Sequence, residues 1–274
     1  MKFLKIVFSF IRMRFRAFAL YPMGFIIEIV RGYVNVGIWF FIALFIQKST
    51  SLNLQSISVN YVGYVVIGVI IFQNAEQLIK EPFNALSQSF WEKKLEIYQT
   101  SPLGIWGLVS GRFLFTFLFN GAIQFSIILI TIPILKIQIP GTLNVFVFLL
   151  LYLLFIVSIF GLSLLGASTF FFLEVKQGRE PISWSVNTMV RLFSGVYYPI
   201  TIFPHYIRWI GKLFPHYYIM SAARSLLAIG KTANIPLITT VLLLFAIIFF
   251  FIGIFSLKKA INFAEKRSGM SALV

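Results

Sequence analysis

The chain has 274 residues, of which 59% are hydrophobic, 18% aromatic and only 11% charged, with a formal net charge of +15. A water-soluble domain carries roughly 25% charged residues, so an ordinary globule is excluded, and disordered chains lack this aromatic content. Cysteine and aspartate are both absent, which excludes disulfides and thiolate metal sites and leaves eight Glu and two His for acid–base or metal chemistry. The composition predicts an all-α polytopic membrane protein.

Residues 1–18 read as an amphipathic helix. Lys2, Lys5, Ser9, Arg12 and Arg16 recur at steps of three and four, which stacks them on one face, and Phe3, Leu4, Ile6, Val7, Phe10, Ile11 and Phe18 fill the rest. Such a helix lies along the cytoplasmic surface of the bilayer with its basic side near lipid head groups. No cleavable signal peptide is expected, because the longest apolar run before Arg12 is Ile6–Ile11.

Six spans are predicted: Phe25–Ile46, Val59–Ile79, Phe113–Leu135 with its apolar run reaching back to 103, Leu143–Leu173, Ile182–Ile202 and Ile235–Leu257. With the N-terminus inside, fourteen Lys and Arg fall on the inner side and six on the outer, so both termini are expected in the cytoplasm. The positive charge thus orients spans, and no nucleic-acid partner is expected.

Between the second and third spans, Pro82 is expected to interrupt the helix. Beyond it, Leu86, Phe90, Trp91, Leu95 and Tyr98 carry apolar surface among Glu92, Lys93, Lys94 and Glu96, and Ser101-Pro102 ends the segment. A short amphipathic helix in this place either rests on lipid or enters a groove of another protein. Gly104, Gly107 and Gly111 follow at helical spacing and permit close helix approach.

Charges inside spans are costly. Arg191 lies about nine residues, or ~13 Å, into the fifth span. Glu28 can pair with Arg31, and Glu76 with Lys80, at helical spacing. Glu28, Arg31, Glu76 and Arg191 are therefore either ion pairs within the bundle or part of a polar pathway, to which Gln73, Asn74 and Gln77 add.

Residues 203–228 are apolar, but Pro204, Arg208, Lys212 and Pro215 divide them into pieces too short to span, so a re-entrant or interfacial hairpin is expected. Tyr197, Tyr198, Trp184, Tyr217 and Tyr218 either line an aromatic exit or anchor at the interface. His205 and His216 have no acidic neighbour to complete a metal site. Gly230-Lys231-Thr232 looks like the end of a P-loop, yet Ser225 stands where that motif begins with Gly and no strand precedes it. With no nucleotide site and no hydrolytic constellation, the chain is not expected to be an enzyme, and work must draw on a gradient or a partner.

Two segments together resemble the ABC-2 family of export permeases. Glu92-Lys93-Lys94-Leu95-Glu96-Ile97-Tyr98-Gln99-Thr100-Ser101-Pro102 is similar to a cytoplasmic stretch that reads Glu, a basic residue, Gly-Thr-Leu-Glu and then Thr/Ser-Pro, with the Gly-Thr replaced here. Ser194-Gly195-Val196-Tyr197-Tyr198-Pro199, followed by Phe203-Pro204, Trp209, Pro215-His216-Tyr217-Tyr218 and Arg224, is similar to the family's small-Gly-x-aromatic-aromatic-Pro stretch and hairpin. The resemblance implies a cell-membrane exporter of two permease subunits, identical or sister copies, and two separate ABC ATPase subunits that hold ATP and Mg. It further implies that 86–99 is a coupling helix that docks on the ATPase through Phe90, Trp91, Glu92, Leu95 and Glu96. The hairpin 203–228 would cap the exit, with Tyr197, Tyr198, Pro199, Pro204 and Pro215 at an outer gate. The alternative is a gradient-driven transporter or channel that uses Glu28, Glu76 and Arg191 as a charge relay.

Overall fold

The computed structural model describes residues 12, 16, 20, 22–49, 61–99, 104–135, 141–173, 180–227 and 233–268. Arg12 and Arg16 are helical and exposed; the other residues of the expected surface helix 1–18 lie outside the described residues, as does Gly230-Lys231-Thr232. The elements are α1 (Pro22–Ser49), α2 (Tyr61–Trp91), α3 (Leu95–Gln99), α4 (Gly104–Ile134), α5 (Thr142–Phe172), α6 (Pro181–Phe193), a 3-10 turn (Ile200–Ile202), α7 (Arg208–Lys212), α8 (Pro215–Leu226) and α9 (Ile235–Ser268). Lipid offers no hydrogen bonds, so a segment rich in Ile, Phe, Leu and Val satisfies its backbone internally as a helix despite its β-branched content. Among the described residues, five helices, α1, α2, α4, α5 and α9, are long and apolar enough to cross a membrane.

The outward faces of these helices are apolar. Ile27, Val30, Val34, Ile38, Phe41 and Phe45 stand exposed along α1, and Leu244, Ile248, Phe251 and Phe255 along α9. Contiguous apolar surface of this extent is solvated by lipid rather than water. Helix α2 is the axis of the bundle, buried from Val62 to Ser89 and packed against α1, α4, α5, α6 and α8. Helices α5 and α9 run along each other, and their backbones meet where a Cβ on Gly253 would overlap the Gly161 carbonyl. The Ser256 and Ser168 hydroxyls bridge the same interface at 2.9 Å. Helices α5 and α9 thus approach closely at glycine, and Gly107 and Gly111 are buried along α4.

Three expectations about local structure are corrected. Pro82 does not end the helix: α2 continues through it to Trp91, a length of 31 residues or ~46 Å, well beyond the ~30 Å hydrocarbon core. Second, 86–99 is not one helix. Residues 86–91 complete α2, the Lys93 N–H donates to Phe90 O (3.0 Å), the Lys94 N–H donates to Ser89 O (2.8 Å), and α3 starts at Leu95. That pair of bonds is a Schellman cap, and Lys93 supplies its left-handed residue with φ 56°.

Third, 182–202 is not one helix. Helix α6 ends after 13 residues at Phe193, Gly195 turns the chain with φ 78°, and Pro199 leads into the 3-10 turn. The segment still travels far along α2. The Ser183 hydroxyl lies 3.4 Å from Ile79 O at one end, and the Tyr61 hydroxyl donates to Tyr197 O (3.2 Å) at the other. The 18 residue steps of α2 from Ile79 to Tyr61 correspond to ~27 Å, accompanied first by α6 and then by the bends of residues 194–198.

Candidate functional site

Two ladders with four-residue spacing face each other near the middle of the axis helix. Glu76, Lys80 and Asn84 lie on α2, and Ser183, Asn187 and Arg191 on α6. Four-residue steps keep each set on one helical face. Glu76 holds the ladders together: it accepts from Lys80 at 2.7 Å, and Arg191 reaches both its oxygens at 3.2 Å. The Arg191 guanidinium also lies 5.2 Å from the Phe72 ring centroid.

This rib separates two polar cavities. The first, of about 550 Å³, lies between α1, α2 and α4, and the Glu28–Arg31 pair (2.6 Å) borders it. Arg112 closes its far wall, paired with Glu81 at 2.7 Å and donating to Gln88 at 2.9 Å. Asn120 lines it, and Asn74 and Gln124 are buried nearby. In the orientation that satisfies both its atoms, the Gln124 amide donates to Ile70 O (3.2 Å) and accepts from the Asn74 N–H (3.0 Å).

The second cavity, of about 320 Å³, lies between α2 and α6 and is lined by Lys80, Asn84, Glu180, Trp184, Asn187 and Arg191, among others. Glu180 is buried and turned onto its own helix, where it accepts from the Ile182 and Ser183 N–H groups and lies 3.4 Å from the Thr169 hydroxyl. A carboxylate at a helix N-terminus meets orphan amides and the positive end of the helix dipole, and Pro181 at the first helical position is preorganised for that cap.

The four charges picked from sequence thus border two adjacent cavities: Glu28 and Arg31 the first, Arg191 the second, and Glu76 both. Glu81, Arg112, Glu180 and Asn187 were missed. The facing steps 76–80–84 and 183–187–191 were the available signal, hidden because each ladder is interleaved with apolar residues.

At the other end of α2, residues 194–198 fold over the helix. The Tyr64 hydroxyl donates to Gly195 O (3.3 Å), and Arg224, 6% exposed, donates to both Tyr64 O and Val196 O at 3.1 Å. Its guanidinium carbon sits 3.5 Å from the Tyr64 ring centroid. Tyr197 stacks on Trp39 with centroids 3.8 Å apart, and Tyr198 donates to Leu192 O (2.9 Å). Pro204 is exposed beside the 3-10 turn that Pro199 opens, and Pro215 is buried at the start of α8. Trp184 does not join this aromatic group; it stands at the opposite end of α6, in the second cavity. His216 is fully buried, edge-on to Phe155 at 5.2 Å, and burial pushes its pKa down to about 3.

At the elbow, Leu95 is 6% exposed and Phe90 packs on Phe170 with centroids 6.0 Å apart, so both anchor the turn to the bundle. Trp91 (58%) and Ile97 (66%) face outward with Glu92, whose hydrogen bond to Lys94 (2.7 Å) raises that ammonium's pKa. Glu96 lies within α3. Ile97 is an outward apolar residue that sequence reasoning missed, since period alone did not show which side of a five-residue helix faces the bundle. Among the described residues, no three His or Glu side chains converge as metal ligands. No protein-family model matches the chain, and a search of curated proteins returns no significant match.

Proposed function

We propose that this chain is the permease subunit of an ATP-driven exporter of the ABC-2 type, coupled to a separate ATPase through the elbow between α2 and α3. The observation that carries the assignment is the backbone at Lys93. Counted back from Leu95-Glu96, Lys93 falls at the position of the pattern's Gly, and it holds the left-handed conformation that Gly adopts without strain, φ 56°. Gly195, in the second resembled stretch, also requires positive φ (78°). Each of the two resembled stretches thus contains one residue in the left-handed region.

On this reading the outward Trp91, Glu92 and Ile97 form the face that enters a groove of the ATPase, while Leu95 and Phe90 hold the elbow to the bundle. A push there travels along the continuous α2 to the Glu76 rib and to the residues that fold over Tyr61 and Tyr64. Six crossings, with both termini cytoplasmic, follow from counting 181–202 as a crossing, which its ~27 Å course along α2 supports. The pathway is completed by a second permease copy, and ATP and Mg reside on the partner ATPase.

The test is gentle extraction of the tagged full chain followed by assays for bound P-loop ATPase and for ATP-dependent export. Trp91→Glu combined with Ile97→Glu is expected to weaken ATPase association at least tenfold while membrane insertion is retained. Normal association in this variant refutes docking at the elbow. The bridging of Lys80 and Arg191 by Glu76 favours a second reading, a gradient-driven transporter. Ion-gradient-dependent transport by the reconstituted chain without ATP decides for it.

A further inference from the structure

The cavity between α2 and α6 contains a polar group that its ion pairs do not explain. Asn187 lines it and is 4% exposed, and neither amide atom has a hydrogen-bond partner among the described residues. Buried carboxamides are hydrogen-bonded in the great majority of folded proteins, and leaving one unmade is costly. An unmet donor and an unmet acceptor on one side chain restrict what can complete it. A phosphate dianion only accepts and an ammonium only donates, whereas a hydroxyl does both.

The charges narrow the class further. The lining holds two carboxylates, Glu76 and Glu180, and two cations, Lys80 and Arg191. Glu76 is shared by Lys80 and Arg191, and Glu180 is held by the N-terminal amides of α6. A charged ligand would add an uncompensated charge or break one of these pairs, and either is expensive at low dielectric. One wall is apolar: Trp184 is half exposed and borders the cavity beside Asn84 and Thr188. The negative face of an indole attracts the positively polarised C–H groups on the face of a saturated ring. The volume, about 320 Å³, is at the small end of ligand cavities, ~300–1,000 Å³.

We infer that the cavity between α2 and α6 binds an uncharged polyhydroxylated group, a sugar ring, which stacks on Trp184 and meets Asn187 and Asn84 with its hydroxyls. A free sugar and the headgroup of a glycosylated amphiphile offer the same chemistry. Binding here requires neither an ATPase nor transport, so it stands or falls apart from the exporter assignment.

The experiment uses the full chain in phosphatidylcholine nanodiscs, free of sugar-headed detergent, with binding read by saturation-transfer NMR. The probes are glucose, octyl glucoside below its micellar concentration, octyl phosphate and octyltrimethylammonium. Saturable binding of glucose identifies a free-sugar site, and binding of octyl glucoside alone identifies a headgroup site; both support the inference. Asn187→Leu is expected to weaken that binding at least tenfold, and Thr240→Val on α9 to leave it unchanged. Should Asn187→Leu fail to fold, Trp184→Ala at its half-exposed position is expected to weaken binding at least fivefold. Absence of sugar binding, preference for either charged amphiphile, or unchanged affinity in Asn187→Leu and Trp184→Ala overturns the inference.

Discussion

Replacing Lys93 with Gly tests the elbow at the residue where its conformation is least natural. A non-glycine residue in the left-handed region costs roughly 1–2 kcal/mol, whereas Gly occupies it freely. Glycine gives back ~0.5–1 kcal/mol through the larger entropy of the unfolded chain. Lys93 is exposed, so little is lost with its side chain. The expected net effect is a local stabilisation of about 0.5–1 kcal/mol, which appears as a roughly two- to fivefold rise in amide protection around the turn.

The reporter is the Lys94 amide, which donates to Ser89 O (2.8 Å) and exchanges only when the Schellman cap opens. Hydrogen exchange followed by mass spectrometry on the chain in nanodiscs reads it. Lys93→Val is expected to lower protection, because a β-branched residue tolerates positive φ worse than Lys. Lys93→Pro is expected to abolish the turn, since it fixes φ near −65° and removes the N–H that donates to Phe90 O (3.0 Å). A fall in protection in Lys93→Gly, or no change in Lys93→Val, refutes a left-handed residue at this site. The backbone argument for the exporter assignment would then go with it.

Three further outcomes are expected. Arg224→Met removes two hydrogen bonds of 3.1 Å and a cation–π contact, and after the relief of a buried charge is counted it should cost about 2–3 kcal/mol. Thermal unfolding checks this, and equal stability would show that Arg224 does not hold residues 194–198 onto α2. Gly253→Val should cost at least ~1–3 kcal/mol, because its Cβ meets the Gly161 carbonyl backbone, which cannot move aside as a side chain does; wild-type stability would remove that helix crossing. His216 remains neutral in the folded chain down to about pH 3, while the unfolded chain takes up its proton near pH 6.5. The unfolded state therefore binds more protons between these values, and stability falls as pH drops through that window by up to ~1.4 kcal/mol per pH unit. His216→Phe should remove this part of the slope, and an unchanged pH profile would deny the burial of the ring.

The long apolar helices were legible because lipid imposes a length and a hydropathy that the chain must meet whatever its tertiary contacts. Residues 182–202 met the same composition and misled for that reason. Hydropathy counts methylenes and does not register that Gly195 at positive φ and Pro199 end a helix, while the neighbouring α2 supplies Tyr61 and Tyr64 hydroxyls to the freed carbonyls. Pro82 misled in the opposite direction. A proline removes one hydrogen bond from a helix, and a helix packed on several sides, as α2 is, has enough contacts to continue through that loss. The charged residues divide in the same way. Glu28–Arg31 and Glu76–Lys80 are within one helical turn and can be read along the chain, but the Arg191–Glu76 pair spans 115 positions. Asn187 carried no signal of its own, because its significance comes from Glu76 already being shared by two cations and Glu180 being held by its own helix. A polar residue in an apolar span gains meaning only when its neighbours' hydrogen bonds are accounted for, and that accounting requires the helices to be placed side by side.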